Sequence, residues 1–322
     1  MNAKAAYKYI VVGIAGSLLI LLFSGSGLSQ ERQRRPRRPP VAPVNLVYDN
    51  QIEGIEVPIQ ETYIRSSDGL YIAAVVLRPD GGGPFPAAIL VHGAPGGRGM
   101  SALKRTEQTR GMVAERFRKE GYVVIVTDYR GRQVKGKDGP KDFSHASDVV
   151  SVIRYAKKLQ DVVPAKVCVF SGSLGSETTL LALGEESVAA AVINAPGGYS
   201  ILSIDREARP FPNPISTSGT DIPSLDMLPD DQFDKEVAHA NLSKINSPSL
   251  FVVGTADHFL PGVKRMQAIL TDLGKEAHID IYPNERHGFW GGPTKKDGKY
   301  EPTPAFSKAL EKAVAFFADK TK

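Results

Sequence analysis

The sequence contains very little cysteine. Only one, Cys168, occurs among its 322 residues, which excludes an internal disulfide framework and a metal site built from several cysteines. The sequence also lacks closely spaced histidines and carboxylates in a metal-ligand pattern, which argues against a metal hydrolase. We therefore expect no bound metal and no cofactor, and we expect Cys168 to be a small buried apolar residue.

The main part of the chain lacks an excess of positive charge. The whole sequence has a net charge of +5, but residues 1–40 hold seven Lys and Arg residues against one Glu, so the other 282 residues carry a net charge of −1. A nearly neutral domain has no positive field to attract phosphates, so we expect no nucleic-acid partner. The composition, 42% hydrophobic and 23% charged, is that of an ordinary globular protein.

The N-terminal apolar run is shorter than a membrane span. It covers residues 10–23, follows Lys4 and Lys8, and precedes small residues, whereas a stable span needs about 20 apolar residues. This pattern predicts that residues 1–29 are a secretory signal peptide, with an uncleaved membrane anchor as the alternative. Five arginines after the run oppose translocation, which leaves cytoplasmic retention as a third possibility. We expect an exported protein, periplasmic or secreted, whose membrane contact is limited to this segment if it is uncleaved.

The remaining sequence divides into a linker and one large domain. Residues 30–44 are rich in Arg, Gln and Pro and are predicted to be a disordered linker. From residue 45 to residue 322, short apolar runs alternate with helical patterns, which predicts an α/β domain with a mostly parallel central sheet flanked by helices. Residues 197–234, approximately, contain five prolines and interrupt this alternation, and we expect them to form a short lid insertion.

The stretch Ser171-Gly172-Ser173-Leu174-Gly175 lies between a predicted strand and a predicted helix. A serine at the tip of such a tight turn is exposed, and the turn requires small residues two positions away on each side. Ser173 meets this requirement with Ser171 and Gly175, whereas neighbouring serines have a bulky residue at one of these positions. The usual pattern, G-x-S-x-G, has glycine where this chain has Ser171. We predict Ser173 as a nucleophile.

A serine hydroxyl needs a base, and the base needs an acid that orients it. His287 follows the predicted strand HIDIY, and Asp257 follows the preceding strand, SLFVV. In proteins whose serine nucleophile lies on a strand-to-helix turn, the acid and then the base follow the serine along the chain. Ser173, Asp257 and His287 have this order. We therefore predict Asp257 as the acid and His287 as the base, and we expect the adjacent His258 to be structural or to face the substrate.

Two backbone amides are candidates for stabilising the negative oxygen of a tetrahedral intermediate. One belongs to Leu174, directly after the nucleophile. The other lies in the loop His92-Gly93-Ala94-Pro95-Gly96-Gly97, where Pro95 has no N–H group and Ala94 is the natural donor. Aromatic side chains commonly line substrate pockets, and Tyr199, Phe211 and Trp290 are our pocket candidates.

The motifs HGAPGG, DYRG, SGSLGS, GTADH and YPNERHGF, in this order across about residues 60–320, resemble the α/β-hydrolase superfamily. The resemblance is strongest to the catalytic domain of the prolyl oligopeptidase family and to dienelactone-hydrolase-like esterases. It implies the α/β-hydrolase fold, with Ser173 as nucleophile, Asp257 as acid, His287 as base, and Ala94 and Leu174 as oxyanion donors.

Two differences from these families bear on the substrate. Prolyl oligopeptidases carry a large propeller domain that gates peptide entry, whereas about 30 residues separate the apolar run from the first predicted strands here. Dienelactone hydrolases use a cysteine nucleophile, whereas Cys168 lies inside a predicted strand. We expect a serine hydrolase acting on small-molecule carboxylic esters, with a serine peptidase acting on short peptides as the alternative. A catalytically idle binding protein on the same fold is the third hypothesis.

Overall fold

The computed structural model describes residues 46–48, 59–104, 112–130, 145–204, 226–291, 295–296, 299–300 and 302–322. The predicted signal peptide, the predicted linker, Phe211 and the central part of the predicted lid lie outside these ranges. In the part of the chain that is described, no helix combines the length and the apolar character needed to cross a bilayer.

The centre of the domain is a sheet of nine strands within the described ranges. They are β1 Leu46–Tyr48, β2 Ile59–Arg65, β3 Tyr71–Leu77, β4 Phe85–Val91, β5 Val123–Thr127, β6 Val162–Gly172, β7 Ala190–Asn194, β8 Ser249–Gly254 and β9 Ala277–Tyr282. Their order across the sheet is β1-β2-β3-β5-β4-β6-β7-β8-β9. The pairs β1–β2, β2–β3 and β3–β5 are antiparallel, and every later pair is parallel. The predicted mostly parallel sheet is confirmed.

Helices cover both faces of this sheet. They are α1 Met100–Leu103, α2 Val113–Lys119, α3 Ala146–Lys158, α4 Leu174–Leu183, α5 Lys235–Ser243, α6 Leu260–Asp272 and α7 Pro304–Lys320. A 3₁₀ turn occupies Phe289–Gly291. A separate two-stranded sheet pairs β10 Lys295–Lys296 with β11 Lys299–Tyr300. The helices α3, α4, α5 and α6 pack into one apolar core. The helices α1, α2 and α7 pack into the other core, on the opposite face.

Burial on both faces explains why the central strands are nearly continuous apolar runs. Along β5, Val123 and Ile125 point into one core, whereas Val124 and Val126 point into the other. Successive side chains of a strand alternate between faces, so a strand covered on both sides needs apolar residues at every position. Cys168 of β6 is fully buried, as predicted.

The parallel arrangement brings the functional loops to one edge of the sheet. Since β4 to β9 all run in the same direction, the segments that follow them meet at the carboxyl-terminal edge. These segments include the loop 92–99 after β4, the turn at Ser173 after β6, and the loops after β8 and β9. All of the predicted reactive side chains belong to them.

Candidate active site

Ser173 lies at the tip of a sharp turn between β6 and α4. Its backbone has φ 53° and ψ −122°, a conformation that non-glycine residues rarely adopt. Its amide donates to the carbonyl of Asn194 at the end of β7, at 2.8 Å. The turn is therefore held in a sparsely populated backbone conformation, and its side chain projects from the sheet edge.

Close packing on both sides fixes this turn. A Cβ atom added to Gly175 would lie 2.2 Å from the carbonyl oxygen of His92 and 2.9 Å from that of Val91, and one added to Gly172 would lie 2.4 Å from Nε1 of Trp290. Real Cβ atoms do not approach other atoms so closely. Glycine at positions 172 and 175 is therefore a steric requirement of the turn.

The serine at position 171, where the usual pattern has glycine, is accommodated inside the protein. Its hydroxyl is buried and contacts the Ser176 hydroxyl at 3.0 Å and the Val192 carbonyl at 3.3 Å. Because these bonds satisfy the buried hydroxyl, Ser171 carries no penalty for an unpaired polar group.

Ser173, His287 and Asp257 form a continuous chain of hydrogen bonds. Nε2 of His287 lies 2.9 Å from Oγ of Ser173, and Nδ1 lies 3.0 Å from Oδ2 of Asp257. A carboxylate only accepts hydrogen bonds, so the ring proton belongs on Nδ1 and the lone pair of Nε2 faces the serine hydroxyl. This is the protonation pattern that a general base for Ser173 needs.

The loops that carry His287 and Asp257 pack tightly on each other. A Cβ atom added to Gly254 would lie 2.0 Å from the carbonyl oxygen of Glu285, and that same oxygen accepts a hydrogen bond from the amide of Ala256 at 3.0 Å. Asp257 is fully buried, and its Oδ1 accepts from the amide of Phe259 at 2.9 Å. Both carboxylate oxygens of Asp257 are therefore engaged, which fixes the orientation of the carboxylate.

Aromatic rings surround the imidazole of His287. Trp290 and Phe259 both contact it edge to face, with ring centroids 5.0 Å and 5.1 Å away. Trp290 was a sequence candidate and is almost completely buried, whereas Phe259 was missed. Tyr199 is half-buried and reaches the site through an edge-to-face contact with Phe259 at 6.1 Å. The substrate-pocket role of Tyr199 and Trp290 stays a prediction, and Phe211 lies outside the described residues.

His258 is buried beside Asp257 and is a poor base in the folded protein. Burial lowers the pKa of His258 to about 4; the nearby Asp257 carboxylate opposes this shift, and His287 adds to it. Its Nδ1 lies 3.7 Å from Oδ1 of Asp257. The expectation that His258 is structural or faces the substrate is consistent with a neutral, buried ring.

The potential metal ligands Asp257, His258 and His287 lie within 4.8 Å of one another. The sequence predicted the pairing of Asp257 with His287 but showed no metal-ligand spacing, because His287 is 30 positions away from Asp257 along the chain. Both ring nitrogens of His287 already contact Asp257 and Ser173. The arrangement is therefore suited to moving a proton, and a metal ion would have to displace these contacts.

The loop after β4 lies directly against Ser173. A Cβ atom added to Gly93 would lie 3.2 Å from Cβ of Ser173. Among the described residues, the amides of Ala94 and Leu174 have no hydrogen-bond acceptor, and Leu174 occupies the first position of α4, where an amide has no partner within the helix. Two amides without acceptors therefore lie close to the serine, and their predicted role as oxyanion donors stays a prediction.

Asp128, directly after β5, anchors this loop. Its Oδ1 accepts from Nε2 of His92 and from the amide of Gly97, both at 3.0 Å, and its Oδ2 accepts from the amide of Gly99 at 2.7 Å. Burial alone would raise the pKa of Asp128, but the hydrogen bonds from His92 and from the backbone outweigh burial and hold it below its usual value. Asp128 is therefore an ionised carboxylate that organises the loop.

Arg98 holds the same loop from its carbonyl side. Its Nη2 donates to the carbonyls of Gly93 at 3.1 Å and Ala94 at 2.7 Å, and its Nε donates to the carbonyl of Pro95 at 3.0 Å. Sequence reasoning singled out the motif DYRG, which begins at Asp128, as support for the edge of the site, but it predicted neither the contacts of Asp128 with this loop nor the role of Arg98, because these contacts depend on how the loop folds back on itself. Cys168 takes no part in the site: burial raises the pKa of its thiol.

Comparison with known proteins supplies the family. The family model described as "Prolyl oligopeptidase family" matches residues 109–313. The chain is 24% identical over 265 residues to acylamino-acid-releasing enzyme 1 of Oryza sativa subsp. japonica, which covers 76% of this chain and 33% of that protein. The corresponding enzyme of Arabidopsis thaliana is 24% identical over 263 residues, which covers 76% of this chain and 32% of that protein. The chain thus spans about a third of the length of the curated relatives it matches.

Solved structures share the fold at low sequence identity. A hyperthermophilic esterase of Pyrobaculum calidifontis matches with a TM-score of 0.58 and 17% identity, over 81% of this chain and 85% of that one. Est1E of Butyrivibrio proteoclasticus matches with a TM-score of 0.54 and 18% identity, over 81% of this chain and 98% of that one. The predicted α/β-hydrolase fold is thereby confirmed.

Proposed function

This chain belongs to the prolyl oligopeptidase family and is a serine hydrolase of the carboxylesterase or peptidase type, and we propose that it cleaves acyl bonds through a covalent acyl-serine formed on Ser173. The observation that carries this proposal is the uninterrupted hydrogen-bond chain from Ser173 through His287 to Asp257, with contacts of 2.9 Å and 3.0 Å. Nucleophile and base are within reach for proton transfer without rearrangement.

In the acylation step, Nε2 of His287 accepts the hydroxyl proton as Oγ of Ser173 attacks the carbonyl carbon of the substrate. The carbonyl π electrons move onto its oxygen, which the amides of Ala94 and Leu174 stabilise. Asp257 stabilises the imidazolium that forms and keeps its orientation. The intermediate then collapses, the bond to the leaving group breaks, and His287 returns the proton to the departing oxygen or nitrogen.

Deacylation repeats these steps with water. Nε2 of His287 takes a proton from a water molecule, and the water oxygen attacks the acyl carbon. The same two amides stabilise the second intermediate, and the proton then passes to Oγ of Ser173 as the acid product leaves. Both half-reactions use the same residues, and neither needs a cofactor.

Carboxylic esters are the substrate class we propose first. An alkoxide leaves more readily than an amine, so ester cleavage needs little beyond the nucleophile, the base and the oxyanion donors. The half-buried ring of Phe259 beside His287 is apolar surface that we propose contacts an acyl group. The esterases that share the fold match over most of their own length, which agrees with this choice.

Short acylated peptides are the second candidate. Family membership and the names of the curated relatives, which are acylamino-acid-releasing enzymes, favour this activity. In those relatives, however, the match covers about a third of the protein, so the match alone does not transfer the activity of the whole relatives to this chain.

Activity-based labelling followed by paired substrates tests both candidates. We expect a fluorophosphonate probe to label the protein and the label to disappear in Ser173→Ala. Release of nitrophenol from short acyl nitrophenyl esters, without release of nitroaniline from N-acylaminoacyl nitroanilides, supports the esterase. The opposite pattern supports the peptidase. A folded protein that the probe does not label would contradict the acyl-serine mechanism.

A further inference from the structure

The peptide unit between Gly93 and Ala94 is held by two side chains at once. Its carbonyl oxygen accepts a hydrogen bond from Nδ1 of His92 at 2.6 Å and another from Nη2 of Arg98 at 3.1 Å. The peptide bond is trans, so its N–H group points away from its carbonyl group. Fixing the Gly93 carbonyl therefore fixes the direction of the Ala94 N–H, the predicted oxyanion donor.

The ring of His92 lies between the Gly93 carbonyl and the Asp128 carboxylate. Nδ1 faces the Gly93 carbonyl at 2.6 Å, and Nε2 faces Oδ1 of Asp128 at 3.0 Å. A carbonyl and a carboxylate can only accept hydrogen bonds, so His92 is the donor in the bond to the Gly93 carbonyl, and the buried Asp128 carboxylate holds the ring from its other side.

We propose that the His92 ring and Arg98 act together as positioning residues, which aim the Ala94 amide at the oxyanion and strengthen it as a donor. Hydrogen bonds from charged groups to a carbonyl draw electron density through the peptide unit and make its N–H a better donor. Arg98 adds rigidity because its guanidinium also binds the carbonyls of Ala94 and Pro95. This inference rests on the proposed function, in which Ala94 is an oxyanion donor.

The first test replaces Arg98, whose half-exposed side chain makes a folded variant readily obtainable. Deleting a whole oxyanion donor lowers kcat by about 10²–10³-fold. In Arg98→Gln the Ala94 amide remains but is no longer held in direction, so we expect kcat to fall by roughly 10- to 100-fold. We expect KM to stay nearly unchanged. Affinity for a trifluoromethyl ketone, which forms a tetrahedral adduct with the serine, should fall by the same factor as kcat/KM.

Two matched variants control this measurement. Arg98→Lys retains a cation and should recover part of the lost kcat. Arg154→Gln removes another arginine that is paired with a carboxylate, that of Glu186 on the surface, and it should retain wild-type kinetics. Wild-type kcat in folded Arg98→Gln would overturn the proposal. The proposal would also be overturned if both Arg98→Gln and Arg154→Gln lowered kcat by the same factor.

The second test observes His92 in the wild-type protein. ¹⁵N NMR of the imidazole nitrogens should show a proton on Nδ1 of His92, the nitrogen that faces the Gly93 carbonyl at 2.6 Å. The ring can be assigned through its contacts with Tyr129, which stacks on it with centroids 4.9 Å apart. An Nδ1 of His92 without a proton would refute its proposed hydrogen bond to the Gly93 carbonyl.

Ser173→Ala, measured on the same nitrophenyl ester, distinguishes failure of the acyl-serine mechanism from failure of the positioning role. If Ser173→Ala is inactive and Arg98→Gln retains wild-type kinetics, the acyl-serine mechanism stands and only the positioning role fails. If Ser173→Ala retains its rate, the proposed function fails first, and the role of Ala94 as an oxyanion donor fails with it.

Discussion

Two short segments on either side of the reactive serine are held in place by different physical means. The turn at Ser173 is fixed by steric exclusion, because atoms of neighbouring loops occupy the space where side chains at positions 172 and 175 would lie. The loop 92–99 is fixed by charge, with Asp128 on its amides and Arg98 on its carbonyls. Steric exclusion depends on residue size and tolerates changes of pH, whereas the charged loop depends on ionised side chains.

The largest effect is expected at the tip of the sterically fixed turn. Ser173→Ala removes the nucleophile without altering the packing, and it should lower kcat on a nitrophenyl ester by at least ~10⁴-fold, as in measured knockouts of this kind. Ser171→Ala is the matched control, since that hydroxyl is buried and bonded to Ser176. It should keep kcat within a few fold. Comparable losses in the two variants would show that the effect comes from the turn and not from the nucleophile.

The second-largest effect is expected in Gly175→Ala, which tests the steric requirement for glycine in the turn. In Gly175→Ala the added methyl group would meet two backbone oxygens, at 2.2 Å and 2.9 Å. Overpacking of this kind should lower the free energy of unfolding by about 3 kcal/mol, measured by urea denaturation.

Gly82→Ala serves as the control for that variant. An added Cβ atom at Gly82 has no atom within 4 Å, so its free energy of unfolding should change by no more than about 0.5 kcal/mol. Equal stability of the two variants would contradict the steric account of the turn.

A smaller effect is expected when the charged loop loses its anchor. Asp128→Asn keeps the shape of the side chain but removes the charge that attracts His92 and the amides of Gly97 and Gly99. Hydrogen bonds to charged groups are worth about 1.5–3 kcal/mol, and we expect the free energy of unfolding to fall by about 2 kcal/mol.

Asp161→Asn is the control, because it removes a carboxylate that is paired with Arg78 and does not affect the loop 92–99. The decrease in the free energy of unfolding should be smaller in Asp161→Asn than in Asp128→Asn. If Asp128→Asn were as stable and as active as this control, the loop would not depend on its charged anchor.

The smallest effect appears only in acid. The pKa of His258 is about 4 in the folded protein, below its ordinary value of 6.5. Above pH 6.5 the ring is neutral in both states; as the pH falls from 6.5 towards 4, the unfolded chain binds a proton that the folded chain does not, so the free energy of unfolding decreases.

His258→Phe removes this contribution and should flatten the dependence of stability on pH between 6.5 and 4, as measured by thermal unfolding. The control, His278→Phe, changes an exposed histidine of β9 and should leave the slope intact. An unchanged slope in His258→Phe would mean that other groups account for the acid sensitivity.

Residues fixed by size could be predicted from the sequence. Ser173 was found because small residues flank it at fixed spacing, and Asp257 and His287 were found because each lies just after a segment predicted to be a strand. The strands themselves were visible because burial on both faces requires apolar residues at every position. The structure brings these three side chains into one hydrogen-bonded chain.

Residues fixed by charge could not be predicted in the same way. Asp128 contacts amides about thirty positions earlier in the chain, and Arg98 turns back onto its own loop. Such contacts leave no periodic pattern and require no particular spacing. Phe259 escaped notice because its contact with His287 depends on how the loops after β8 and β9 meet.

The position of Trp290 makes its fluorescence a probe of the active site. This is the single tryptophan of the sequence, and its indole contacts both the His287 ring and the glycine that precedes Ser173. Emission from every other part of the chain is absent when the indole is excited selectively, and a protonated imidazole quenches a neighbouring indole. We therefore expect the intensity of tryptophan fluorescence to respond to the charge on His287, in solution and without any attached dye.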